Sequence, residues 1–255
     1  MARYELLNNV AHQDLRVILR FGPEFGDASG VVQAFPTEYA ELQREYPILL
    51  RKDPAGGGGF QSVALLGFEQ QENLFLHGAR WDAAYLPGIV AKGPFLIGFQ
   101  ERHEDGVLRR EPVIHVDLDH PRVSFSEGER VFLPQGGHSP YLEHVITVLR
   151  GIRDGVEGGN AMFAAFDALG LIQPLRIDVQ LGEAHNVQLA GLYGIDRERL
   201  AALDAPALHG LHRAGYLEGA YLLLASLHNM RRLMAEKQRR LQQAGTDAAV
   251  SGQAA

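Results

Sequence analysis

Short apolar runs closed by turn residues dominate the first half of the chain. Tyr46-Pro47-Ile48-Leu49-Leu50, Val63-Ala64-Leu65-Leu66, Leu74-Phe75-Leu76 and Phe95-Leu96-Ile97 are separated by Gly, Pro, Asn and Asp, the punctuation of short buried strands joined by tight turns. Ahead of them, residues 1 to 35 read as short strands and loops. Thr37 stands as a candidate N-cap for a short helix with Tyr39, Leu42 and Tyr46 at helical spacing. The four glycines at 56 to 59 precede a strand rather than a helix, so they read as a hairpin tip and not as a phosphate cradle. Asp105-Gly106 marks a second hairpin, joining the Phe95 strand to Pro112 through Leu118, and a short strand follows at Arg130 to Leu133.

The period changes at Ser139. Ser139-Pro140 is a cap followed by a first-turn proline, and Leu142, Val145, Ile146, Leu149 and Ile152 recur at helical spacing until the glycines near 155. A second helix is predicted from Asn160 to a stop at Gly170. Leu175, Ile177, Val179 and Leu181 alternate with polar residues, and the chain returns from a turn at 182 to 186 through Val187 to Tyr193, which is a hairpin. Asp196 and Asp204 cap two short helices, and Tyr216 to Leu241 reads as the longest helix. The predicted class is α+β: a β-rich N-terminal half of short antiparallel strands packed with a helical C-terminal half containing one β-hairpin. Residues 1–244 read as a single domain and 245–255, small and polar, as a disordered tail.

Composition narrows the classes. With 255 residues, 46% of them hydrophobic, the chain can bury a core without staples, and the absence of cysteine removes disulfides, thiolate metal sites and a cysteine nucleophile. A net charge of −7 disfavours nucleic acid, whose binding rests on phosphate neutralisation. The basic residues Arg231, Arg232, Lys237, Arg239 and Arg240 suit a solvated helix end. No secretory signal and no run of ~18 uncharged apolar residues appears, so a cytoplasmic protein without membrane insertion is expected.

The chemistry-bearing residues are few. The sole tryptophan, Trp81, lies between Arg80 and Asp82 and is followed by Tyr85. With Tyr46 and Phe95 these residues form an aromatic set that can anchor a core or line a groove for an extended peptide. His115-Val116-Asp117 places an imidazole and a carboxylate on one face of a strand, two of the three ligands of a non-haem Fe(II) site. His138, His185, His209, His212 and His228 are candidates for the third, against the plainer reading that Asp117 and Asp119 shape a turn before Pro121. His209 and His212 share a helical face but lack the glutamate of a zincin motif, and no serine lies in a Gly-x-Ser-x-Gly elbow.

The order of a Tyr-Pro strand at Tyr46-Pro47, Leu65-Leu66-Gly67-Phe68, Asn73-Leu74-Phe75, Trp81-Asp82-Ala83-Ala84-Tyr85-Leu86-Pro87 and Pro94-Phe95 resembles the SapC family of bacterial proteins. The likeness continues through Phe132, Phe163 to Leu175, Gly191 to Asp196 and Ser226-Leu227. His115 departs from the family pattern at the end of its strand. The resemblance implies no reaction, cofactor or catalytic residue. It implies association with a surface-layer locus, and hence a non-enzymatic accessory protein with a protein or peptide partner linked to the cell surface or outer membrane. The alternatives are an Fe(II)-dependent oxidoreductase using His115 and Asp117, and a structural S-layer component. In the preferred reading no cofactor is required, and Tyr46, Arg80, Trp81, Asp82, Tyr85 and Phe95 face the partner.

Overall fold

The computed structural model describes residues 3–54, 59–104, 107–180 and 186–253. In chain order the elements are β1 (Tyr4–Leu6), β2 (Arg16–Val17), β3 (Val31–Ala34), α1 (Tyr39–Leu42), β4 (Ile48–Lys52), β5 (Phe60–Leu65), β6 (Leu76–His77), β7 (Arg80–Trp81) and α2 (Gly88–Ala91). There follow β8 (Phe95–Glu104), β9 (Val107–Asp117), β10 (Val123–Ser124), β11 (Glu129–Arg130), α3 (Pro140–Ala168), β12 (Ile172–Gln180) and β13 (Asn186–Ile195). Four helices end the chain: α4 (Arg197–Ala201), α5 (Ala205–Arg213), α6 (Tyr216–Ser226) and α7 (Met230–Gln253). The class is α+β, with strands concentrated in the first half and helices in the second.

The largest sheet has the order β12-β13-β4-β5-β3, with every pairing antiparallel. The C-terminal hairpin thus joins the N-terminal sheet, through Leu192 opposite Arg51 and Tyr193 opposite Leu50. Ile48, Leu49 and Leu50 are covered on both faces, at 1%, 0% and 0% exposure, which is why β4 reads as a continuous apolar run instead of an alternating one. A smaller sheet has the order β1-β9-β8. The glycine tip at 56 to 58, the Asp105-Gly106 turn and the turn at 182 to 185 lie outside the described residues.

Two cores result. One collects the five-stranded sheet with α1, α6 and the later turns of α3, including Tyr39, Tyr46, Leu49, Phe163 and Phe166. The other gathers Leu15, Val17, Phe95, Val116 and Phe132 against Leu142, Val145 and Leu149 from the first turns of α3. A single helix serves both. The sequence predicts two helices broken at the glycines, but α3 is continuous for 29 residues. The glycines are sites of close approach: a Cβ on Gly155 would fall 2.6 Å from Phe35 Cβ and 2.8 Å from Thr37 Oγ1, and one on Gly159 would fall 3.5 Å from Pro36. The Pro36–Glu38 turn lies against that bare face, and Thr37 Oγ1 donates to Gly151 O at 2.8 Å. Thr37 is therefore a clasp between turn and helix and not a cap.

The long C-terminal helix is also revised. A 3-10 turn at Leu227–Asn229 separates α6 from α7. Ser226 Oγ accepts the Ile48 N–H at 2.9 Å, and Asn229 Nδ2 donates to Gln43 O and Tyr46 O. Two polar side chains at the break thus satisfy backbone groups leading into β4, which a regular helix pattern in sequence does not reveal. The Arg130 to Leu133 strand shortens to β11 plus a bridge between Phe132 and His138. The backbone of α7 is helical through Gly245 to Gln253, where composition predicts a tail. No helix among the described residues is long and apolar enough to cross a membrane.

Candidate functional site

Trp81 lies on the short β6–β7 ribbon, in which Leu76 faces it across the turn, and its ring packs against Phe21 and Phe75 with centroids 5.5 and 6.4 Å away. The indole N–H, which needs a partner once its ring is buried, donates to Tyr46 Oη at 2.8 Å. Tyr46 Oη in turn donates to Tyr85 O at 2.6 Å, and burial pushes the Tyr46 phenol far above its ordinary range. Tyr85 Oη donates to Glu38 at 2.9 Å.

Glu38 closes this chain. Its carboxylate also accepts the Gly88 N–H at 2.8 Å and the Phe35 N–H at 3.1 Å. Burial raises the Glu38 carboxyl above its usual value, against the opposing pull of the bonds from Gly88, Tyr85 and Phe35. Glu45 accepts the Ala84 and Tyr85 N–H groups, so two carboxylates hold the stretch from Ala84 to Gly88. A cavity of about 470 Å³ opens beside Tyr85 and Glu38, against α3.

Of the six residues singled out in sequence, the structure brings Tyr46, Trp81 and Tyr85 together. Arg80 and Asp82 flank them at the surface. Phe95 belongs to the other core, where it is fully buried and 6.3 Å from the Tyr141 ring.

His115 and Asp117 share a face of β9 but gather no third ligand among the described residues. Asp117 Oδ1 accepts the Asp119 N–H at 3.1 Å, the turn-shaping role weighed in sequence. His115 Nδ1 is buried without a partner and lies over Gly98, where a Cβ would fall 2.4 Å from it. His138 pairs with Glu143 at 2.7 Å, His228 bonds Ala225 O, His209 and His212 are exposed, and His185 lies outside the described residues. Among the described residues no group of three or more His, Asp or Glu side chains could hold a metal ion.

The sequence reading missed a second feature that the indole borders. A recess of about 250 Å³ is walled by Phe25, Val32, Trp81, Ile89 and Val90 and carries Asp27, Lys92, His120 and Arg122. Asp27 and Arg122 form a buried pair at 2.6 Å. The guanidinium also donates to Ile18 O and Arg20 O and lies over Phe25 and Phe21. Lys92 differs. Half-buried, its ammonium has among the described residues only Gly93 O at 3.4 Å and Phe95 O at 3.3 Å, and burial lowers its pKa, with the charge of Asp117 acting the other way. His120 Nδ1 accepts the Arg122 N–H at 3.1 Å, so the neutral ring carries its proton on Nε2. Burial, then Arg122 and Lys92, lower its pKa. No local motif announces this set, because Asp27 and Arg122 are 95 residues apart.

Fold and site together define an α+β protein in which a satisfied polar network and a cation-bearing recess both meet the tryptophan. The chain belongs to the SapC family: the SapC family model matches residues 7–233. No curated protein and no solved structure matches it.

Proposed function

We propose that this SapC-family chain is a non-enzymatic binding protein that takes up an extended segment of a partner protein along β8. What carries the reading is the coincidence of an open strand edge with an apolar groove. Among the described residues β8 pairs with β9 alone. Beside it lies a groove of about 380 Å³ lined by Ile89, Leu96, Ile97, Phe99 and, from α3, Leu149 and Val156. Phe99 and Val156 are 46% and 44% exposed, high for large apolar side chains brought together. An added strand takes affinity from the main-chain groups of the edge and specificity from alternate side chains entering the groove. The surface-layer association implied by the family resemblance makes a cell-surface or outer-membrane protein, met before export, the natural partner.

Selection from a random peptide display library against the full chain tests this. The expected outcome is enrichment of peptides with apolar residues at alternate positions and loss of their binding in Val156→Asp, which lies on the helix surface. No enrichment, or enrichment indifferent to Val156→Asp, overturns the proposal.

A further inference from the structure

Lys92 poses the sharpest chemical question in the molecule. Lys92 is half-buried, and an ammonium partly withdrawn from water gains from a paired, hydrogen-bonded counter-charge. Here its partners are two carbonyls at the long end of the hydrogen-bond range, and among the described residues no carboxylate lies within ion-pair distance of it. Asp27, the carboxylate in the same recess, is committed to Arg122 and to the Gly22 N–H at 2.8 Å. The charged groups facing the recess are thus Lys92, Arg122 and Asp27, with Asp117 acting on Lys92 from further off. They leave a positive excess at the Lys92 end.

The remaining walls specify the ligand's body. His120 offers an Nε2–H donor that its Nδ1 bond to Arg122 N holds in one tautomer. The indole N–H is taken by Tyr46, so Trp81 presents the recess with ring surface, as do Phe25, Val32, Ile89 and Val90 with theirs. At about 250 Å³ the space is below the roughly 300–1,000 Å³ of drug-sized sites, which sets an upper limit on size.

We propose that the recess beside Trp81 binds a compact organic acid, its carboxylate between Lys92 Nζ and His120 Nε2–H and its apolar body against the indole. Ile89 and Lys92 border the β8 groove as well, but the site is defined by Trp81, His120 and Lys92 and requires no peptide in that groove. A carboxylate can come from a free small molecule or from a peptide chain end, and the proposal commits to the free acid.

The chain supplies its own reporter, since Trp81 is its sole tryptophan. Titration with benzoate and with cyclohexanecarboxylate is expected to change the Trp81 emission saturably. Benzamide, uncharged but of the same shape, is expected to bind about tenfold or more weakly, as is benzoate to Lys92→Met, because each lacks one side of a charge-assisted bond. Circular dichroism and the thermal midpoint establish that Lys92→Met is folded. No saturable change with either acid, equal binding of benzamide, or unchanged binding in folded Lys92→Met overturns the site. Inorganic phosphate binding more tightly than benzoate overturns the organic-acid assignment, and acetyl-Ala-Ala-Phe binding more tightly than benzoate transfers the site to a peptide chain end and overturns the free-acid one.

Discussion

Glu38, buried, bonds the first residue of α2, and Lys92, half-buried, follows its last; the two charges are treated differently. Glu38 receives three donors, from Phe35, Gly88 and Tyr85, and through Tyr85 and Tyr46 it fixes the edge of the indole. Lys92 lies four residues beyond Gly88 and has two long carbonyl contacts. A buried charge whose bonding capacity is used rigidifies the fold. One whose capacity is left over costs stability and is informative about what binds. The Trp81 neighbourhood is therefore half scaffold and half site, and the aromatic cluster that draws attention in sequence is chiefly the scaffold.

Removing the satisfied charge is expected to have the largest effect. Glu38→Ala strands two backbone N–H groups and the Tyr85 hydroxyl, and each unsatisfied buried group costs about 1–3 kcal/mol. With partial access of water from the adjoining cavity, the net loss expected in urea unfolding is about 3–5 kcal/mol. Because Tyr85 and Gly88 lose their anchor, Trp81 emission is expected to shift in the folded variant as well. A loss below about 1 kcal/mol would show that the network is ornamental and would end the contrast with Lys92.

The next effect concerns how α3 meets the turn that carries Glu38. Gly155→Ala puts a methyl group 2.6 Å from Phe35 Cβ, and overpacking of that kind costs about 1–3 kcal/mol. Gly158 is one turn on, exposed, and has nothing within 4 Å of its added Cβ. There the same substitution is expected to stabilise by about 0.5–1 kcal/mol through helix propensity alone. Opposite signs from thermal unfolding would confirm that Gly155 serves contact with the Phe35 turn. Equal signs would mean that the glycines have one common role.

These glycines also mark where the sequence stops being legible. Features governed by neighbours a few residues away are readable. Ser139, Asp196 and Asp204 cap their helices by accepting N–H groups two or three residues on, and the alternation from Leu175 to Val179 makes a strand. The continuous burial of β4 is readable because covering both faces removes the polar positions. Features decided by distant contact are not. The glycines of α3 resemble a stop until the Phe35 turn is placed against them, and the helix break after Ser226 answers to backbone groups 178 residues earlier. The recess is hidden for the same reason, since Lys92 and Arg122 carry no motif and acquire meaning only when Asp27 is seen to pair with one of them.

Lys92→Met is the smallest expected effect on stability and the most discriminating one. Methionine keeps much of the lysine stem while removing a charge whose hydrogen bonds among the described residues are at 3.3 and 3.4 Å. Exchanging such a group for an apolar one is expected to leave stability unchanged or to raise it by up to about 1 kcal/mol. A lysine that held the fold would behave like Glu38 and lose several. The same variant loses benzoate binding if the ammonium is kept for a ligand. Equal or greater stability together with lost binding would therefore place the two charges in different roles, because a scaffold residue cannot be removed without cost and a ligand-holding residue can.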